Sequence, residues 1–137
     1  MIYQIFFSTA KAVTDDLPLD DSVRLNDIVI TLLMPQITSA VESFYAPYLT
    51  IKPTVVPYYG SKIIQIQGGE SIHEDINNSH YTVTVEVLPY VGAHLSVGKD
   101  RITLNIQSDN VTIKNYEHIN SYPIPPHYQS IIKKSLP

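Results

Sequence analysis

Residues 25–45, LNDIVITLLMPQITSAVESFY, decide the fold of this chain. Apolar side chains recur there at every fourth position, at Leu25, Val29, Leu33, Ile37, Val41 and Tyr45. This is the spacing of one face of an α-helix, so the pattern predicts an amphipathic helix of roughly seven turns. Pro35 interrupts the pattern, but the apolar stripe continues in phase on both sides of it, and we therefore expect a kink rather than two helices. Pro47 is expected to end the helix.

After the helix the hydrophobic period changes to two. Residues 81–88 alternate apolar and polar side chains, which is typical of a strand with one buried and one solvated face. The other predicted strands are 61–67, 101–107 and 111–118. The predicted fold class is α+β, with a long kinked N-terminal helix packed on a curved antiparallel sheet of about four strands.

The last two predicted strands form a hairpin. Asp109 and Asn110 tolerate a left-handed backbone, so we expect a two-residue turn between the strands. Such a turn sets the register and places Arg101 opposite His118. Tyr116 and His118 then belong to a polar face, which is predicted to point to solvent.

A ligand site is predicted beside this hairpin. The connection 89–100, PYVGAHLSVGKD, contains two glycines, a histidine and an aspartate, and loops between rigid strands often carry binding groups. With the expected register, four residues form one cationic and imidazole-rich cluster suited to a small anion or carboxylate: His94, Asp100, Arg101 and His118. The sequence also allows a purely structural interpretation, in which the glycines serve a bulge and a turn.

Composition excludes several other classes of site. The 137 residues contain no cysteine, which rules out disulfides, thiolate metal sites and a cysteine nucleophile. The formal net charge is −4, and the basic residues are scattered, so no nucleic-acid partner is expected. The five histidines show no metal-ligand spacing, and neither a nucleophile elbow nor a phosphate loop occurs. We predict no metal, no other cofactor and no catalytic residue.

Two functions stay open on these grounds. The first is a binding or interaction domain without a catalytic site, whose partner is an unknown small molecule or an extracellular protein. The alternative is a small hydrolase or lyase that uses His94 or His118 as a base, oriented by Asp100, in a pocket between helix and sheet. A cavity filled by core side chains argues against the enzyme, and a large void lined by a histidine argues for it.

The N-terminus resembles the end of an export signal. An apolar run at 2–7 is followed by small residues at Ala10 and Ala12, as signal peptidases require. We expect residues 1–12 to be a truncated signal tail and 13–137 to be one domain, located outside the cell or in the cell envelope. If residues 2–7 are instead a strand, the protein is cytoplasmic. No apolar run reaches the ~20 residues of a membrane helix, so no stable span is expected in the mature form.

Several strings of the sequence resemble a family of short, uncharacterised exported proteins of Gram-positive bacteria, classed as a domain of unknown function. The similar strings are Leu32-Leu33-Met34-Pro35, Pro57-Tyr58-Tyr59-Gly60, residues 89–100 followed by Ile102-Thr103, and Pro125-Pro126-His127-Tyr128. The resemblance spans about residues 20 to 134. It implies export, but it supplies no activity and no catalytic residue.

Overall fold

The computed structural model of the protein describes residues 19–68 and 80–137. The proposed signal tail at 1–12 lies outside the described residues. In chain order the elements are α1 (Leu19–Tyr45), β1 (Lys62–Gly68), β2 (Tyr81–Val87), β3 (Tyr90–Val91), β4 (Leu95–Ser96), β5 (Gly98–Ile106), β6 (Val111–Ser121) and a 3-10 helix (Pro126–Ile131).

The helix α1 runs without a break through Pro35, as the continuous apolar stripe predicted. It ends at Tyr45. Ala46 precedes Pro47, and the proline ring disfavours helical backbone in the residue before it, so the helix stops close to the expected position. A 3.0 Å hydrogen bond from the Ala46 N–H to the Glu42 carbonyl closes the last turn.

Four strands form one antiparallel sheet in the order β1-β2-β5-β6, which confirms the predicted α+β class. The sheet is open, with β1 and β6 at its edges. The alternation in β2 is the predicted one, because Val83, Val85 and Val87 are buried while Thr82 and Thr84 are only half-buried on the opposite face.

The core lies between α1 and the inner face of the sheet. The helix contributes Ile30, Leu33, Ile37, Val41 and Tyr45, and the sheet contributes Val83, Val85, Val87, Ile102 and Leu104. All of these side chains are buried. Their burial removes apolar surface from water, the largest favourable contribution to the folding of such a domain.

The β5–β6 hairpin corrects the predicted register. Its loop is 107–110, closed by a 2.9 Å hydrogen bond from the Gln107 N–H to the Asn110 carbonyl, so the two-residue turn was wrong. A bulge opposite the Thr103–Leu104 step then leaves Lys114 with no residue across from it. Because one extra residue exchanges the two faces of a strand, Tyr116 and His118 point toward the helix and not toward solvent.

The corrected pairing also changes which residues are neighbours. Asp100 lies opposite His118, and Arg101 lies opposite Glu117. The predicted Arg101–His118 pair does not form.

A second, two-stranded sheet of β3 and β4 was not predicted, because each of its strands has only two residues. Its turn contains Gly92 and His94, both with positive φ, of 56° and 57°. The glycine of this turn thus serves backbone geometry, as the structural interpretation expected.

The segment Asp21–Tyr45 is long and apolar enough to cross a membrane, with a mean hydropathy of 1.3. Core helices of soluble proteins and signal sequences meet the same two criteria. Here one stripe of the helix is packed on the sheet. Absence of a membrane span therefore stays a prediction.

Candidate functional site

The structure separates the four predicted site residues. Asp100 and His118 contact each other on the inner side of the sheet. Arg101 follows Asp100 in β5, and consecutive strand residues face opposite sides, so its side chain lies on the outer side. His94 is exposed in the β3–β4 turn. The four therefore do not form one cluster, and a ligand-binding role for them stays a prediction.

Asp100 is the centre of a buried polar network. Its side chain has no exposed surface. The Tyr45 hydroxyl donates a 2.7 Å hydrogen bond to Oδ2, and His118 Nδ1 lies 2.5 Å from Oδ1. The other ring nitrogen of His118 lies 2.7 Å from Ser121 Oγ. The network joins the last turn of α1 to β5 and β6, in the order Tyr45, Asp100, His118, Ser121.

The environment of Asp100 opposes its ionisation. Burial raises the pKa of this carboxyl, and the hydrogen bonds from Tyr45 and His118 offset the rise only in part. Burial, and then the charge of Asp100, also raises the pKa of the Tyr45 hydroxyl, which keeps it a donor. The same two causes raise the pKa of Tyr116. Its hydroxyl is buried near Asp100 but has no hydrogen-bond partner of acceptable geometry among the described residues.

Aromatic rings hold the His118 imidazole in place. Phe44 stacks on it with ring centroids 4.9 Å apart and an interplanar angle of 25°. Tyr116 stacks on Phe44 at 4.9 Å, and the Tyr45 ring meets His118 edge-on at 6.1 Å. The ring of His118 is thereby fixed with one nitrogen toward Asp100 and the other toward Ser121.

Arg101 is already paired within the protein. Its Nε lies 3.2 Å from Glu86 Oε2, and Lys62 and Lys99 lie 3.6 Å and 3.9 Å from Oε1 of the same carboxylate. Burial opposes ionisation of Glu86, but the Arg101 hydrogen bond and the three positive charges outweigh it and lower the pKa of the carboxyl. Arg101 is therefore paired with a carboxylate of the protein itself, and binding of an external anion at this position stays a prediction.

His94 belongs to a separate aromatic group. Its ring centroid lies 4.4 Å from that of Tyr59 and 4.5 Å from that of Tyr90. Its contacts are thus with the 57–60 turn and with β3.

An open groove of about 770 Å³ runs between the second half of α1 and the start of β6. It is lined by Pro35, Gln36, Ser39, Ala40, Ser43, Phe44, Val111, Thr112, Ile113 and Tyr116. No lining residue carries a formal charge. Gln36 Oε1 is buried in its wall without a hydrogen-bond partner among the described residues.

Among the described residues, core side chains fill the place where the pocket of the hydrolase or lyase alternative was expected. Val83, Val85, Ile102 and Leu104 fill the space under the helix and are all buried. The groove lies beside this core and not inside it, and its lining contains no histidine. In the described part of the chain, no three His, Asp or Glu side chains converge as a metal ion would require.

Comparison with protein families gives one match. A model for the family described as "Protein of unknown function (DUF3888)" matches residues 25–120, more than two-thirds of the chain. The chain belongs to this family. No curated protein and no solved structure matches it. The match extends from the first half of α1 to the penultimate residue of β6, so the groove and three members of the polar network lie within the DUF3888 domain.

Sequence reasoning missed Tyr45 and Ser121 as members of the network. Tyr45 closes the apolar helical stripe and was interpreted as a core residue, which it also is. Ser121 follows His118 by three residues, and residues three apart in a regular strand face opposite sides. An irregularity in the pairing of β5 with β6, between Lys99 and Asp100, brings His118 and Ser121 together, and the sequence pattern does not reveal it.

Proposed function

We propose that this DUF3888 protein is an exported binding domain and that its ligand site is the groove between α1 and β6. The ligand is a small, neutral and mainly apolar molecule that donates a hydrogen bond. The observation that carries the proposal is the groove itself, whose volume of about 770 Å³ falls in the range of small-molecule sites.

The chemistry of the lining supports a neutral ligand. Phe44, Ala40 and Ile113 supply apolar surface, while the hydroxyls of Ser39 and Ser43 lie along the exposed side of the helix. A charged ligand would lose its hydration there without gaining an ion pair.

Gln36 supports the proposal that the ligand donates a hydrogen bond. A buried carbonyl without a partner costs about 1–3 kcal/mol. Rotation of the Gln36 side chain toward the groove would bring Oε1 to a ligand donor and remove this cost.

The edge of β6 favours a small molecule over an extended peptide. An unpaired edge strand can accept another strand through its main chain. Here Lys114 lies in a bulge within the segment that borders the groove. Bulges and lysines on an edge interrupt such pairing, so an added strand would not find a continuous ladder.

The neutral fluorophore N-phenyl-1-naphthylamine, which carries one N–H donor, provides the test. We expect saturable fluorescence enhancement with the wild-type protein. Ser39→Arg and Ser43→Arg place a long charged side chain at the groove and should weaken the affinity at least tenfold. Thr31→Arg, also exposed on α1 but outside the groove, is the matched control and should bind like wild type.

Two results would contradict the proposal. One is equal affinity in all four proteins. The other is loss of binding in Leu32→Ser, since Leu32 is exposed on the helix outside the groove and would then be the dye site.

Export rests on the Ala10-Lys11-Ala12 pattern and on the family resemblance. A version in which a basic segment is fused in front of residue 1, to complete a signal sequence, should be secreted and cut after Ala12, and intact-mass measurement of the secreted protein checks this. Recovery of uncleaved protein from the cytoplasm alone would contradict export.

A further inference from the structure

The geometry of Ser121, His118 and Asp100 points to a nucleophilic serine. We infer that Ser121 Oγ, activated by His118 and oriented through Asp100, accepts the acyl group of short aliphatic esters. The two distances, 2.7 Å from His118 Nε2 to Ser121 Oγ and 2.5 Å from Nδ1 to Asp100 Oδ1, are those of a nucleophile, a base and a group that orients the base. The pocket beside Ser121 shares no lining residue with the α1–β6 groove, although Phe44 lines the groove and also stacks on His118. The inference does not require that the groove bind a ligand.

A second bulge in β6 builds the arrangement. Asp100 pairs with His118, but Lys99 pairs with Asn120, which leaves Ile119 with no residue opposite it. The extra residue shifts the alternation by one, so that His118 and Ser121 reach the same side of the strand. Bulges of this kind often re-aim a side chain next to a functional site.

The base is held in one orientation. Tyr45 binds Oδ2 of Asp100 and leaves Oδ1 for His118 Nδ1. Phe44 stacks on the imidazole and prevents the ring from turning over. Nε2 is therefore the nitrogen that faces Ser121, and Asp100 in its ionised form stabilises the imidazolium that forms when Nε2 takes a proton.

Ser121 opens onto a pocket of about 390 Å³ at the end of the sheet. The pocket is lined by Ser121, Tyr122, Pro123, Ile124, Gln129, Ile132, Ser135 and Leu136. Its aliphatic side chains suit a short acyl chain, and none of the lining residues is charged.

The reaction balances with water as the only co-reactant. Ser121 Oγ attacks the ester carbonyl carbon while its proton passes to His118 Nε2. The tetrahedral intermediate expels the alkoxide, which takes that proton and leaves as the alcohol. Water then attacks the carbonyl carbon of the acyl-serine and gives one proton to Nε2. The Ser121 oxygen leaves and takes that proton back, so the products are the acid and the alcohol.

In this structure the Ser121 hydroxyl is already engaged in a hydrogen bond. It donates to the carbonyl oxygen of Pro137 over a distance of 2.5 Å. A carbonyl can only accept, so the hydroxyl proton points to Pro137, and His118 Nε2 must donate to Oγ. Transfer of the Ser121 proton to His118 therefore requires that the hydrogen bond to residue 137 break first.

Diisopropyl fluorophosphate, which reacts with activated serines, tests the inference by intact-mass and peptide mass spectrometry of the full chain. We expect one adduct, located on Ser121 and absent from Ser121→Ala. His118→Gln should lower the labelling rate by on the order of 100-fold or more. Ser130→Ala, an exposed serine outside the pocket, should label like wild type. Hydrolysis of p-nitrophenyl butyrate should follow the same order among the variants.

The inference fails if Ser121 is not labelled, if labelling spreads over the exposed serines, or if His118→Gln reacts at the wild-type rate. Circular dichroism of each variant identifies loss of the fold. The wild-type protein gives an independent measurement, because proton transfer from Ser121 to a base should make labelling slower in heavy water than in light water. Equal rates in the two solvents would overturn the inference even if the His118 variant does not fold.

Discussion

The Tyr45 hydroxyl donates a 2.7 Å hydrogen bond to Oδ2 of Asp100, and this contact ties the end of α1 to a central strand of the sheet. Both side chains are fully buried. The bond therefore stabilises a carboxyl group that has no access to water. If the Tyr45 hydroxyl is removed, no water molecule can replace it as the donor to Oδ2.

Tyr45→Phe should lower the free energy of unfolding by about 1–3 kcal/mol, because Asp100 then keeps one buried oxygen without its donor. Urea unfolding followed by circular dichroism measures the change. Tyr58→Phe removes the same hydroxyl from a side chain that is 77% exposed and should leave stability within about 0.5 kcal/mol of wild type. Equal effects of the two substitutions would show that the buried bond contributes nothing.

Gly98→Ala should destabilise the protein through the same tyrosine. A methyl group at Gly98 would overlap the Tyr45 hydroxyl and approach the Asn120 carbonyl to 3.0 Å. Overpacking of this kind costs about 1–3 kcal/mol. In a Tyr45→Phe background the closest clash is gone, so the cost of Gly98→Ala should become smaller. Additive effects in this double-mutant cycle would contradict the assigned clash.

The fold class followed from the sequence because periodicity records which face of an element is buried. The stripe from Leu33 to Tyr45 and the alternation of Val83, Val85 and Val87 gave the helix, the clearest strand and the face that each buries. These signals are local and repeat over many residues, so one irregular position does not erase them.

The candidate site did not follow, because two single-residue bulges determine it. The bulge at Lys114 turns His118 inward, and the bulge at Ile119 brings Ser121 to its side. Neither residue type marks a bulge in the sequence. Asp100 and His118 were thus selected correctly as close neighbours, but Arg101 was paired with the wrong strand residue.

Acid should weaken the protein partly through Glu86. Its folded-state pKa lies below the ordinary value of 4.5, so the unfolded chain binds more protons and stability rises with pH through this range. The stabilising contribution of ionised Glu86 is complete above about pH 4.5 and is lost as the pH falls through the folded-state pKa. Asp100 makes stability change with pH in the opposite direction. Its raised pKa lets the folded state keep a proton above pH 3.8, where the unfolded chain loses it.

The comparison of Glu86→Gln with wild type isolates the glutamate from Asp100. The stability difference between the two proteins should be largest near neutral pH and should shrink as the pH falls below 4.5. Thermal unfolding at a series of pH values measures it. Glu117→Gln removes the same charge from an exposed position in β6 and should show a smaller dependence. A difference that does not vary with pH would rule out the assigned role of the three cations.

Leu32 and Leu33 test how α1 packs, since they are consecutive residues, about 100° apart around the helix axis, with different exposure to solvent. Leu33 is buried against the sheet, whereas Leu32 is 72% exposed. Leu33→Ala should lower the free energy of unfolding by about 2–5 kcal/mol, through lost apolar burial and the cavity that is left. Leu32→Ala should change it by no more than about 0.5 kcal/mol. Urea unfolding of the two variants measures both changes. If α1 instead spans a membrane, lipid surrounds both side chains, and the two substitutions should change stability by similar amounts.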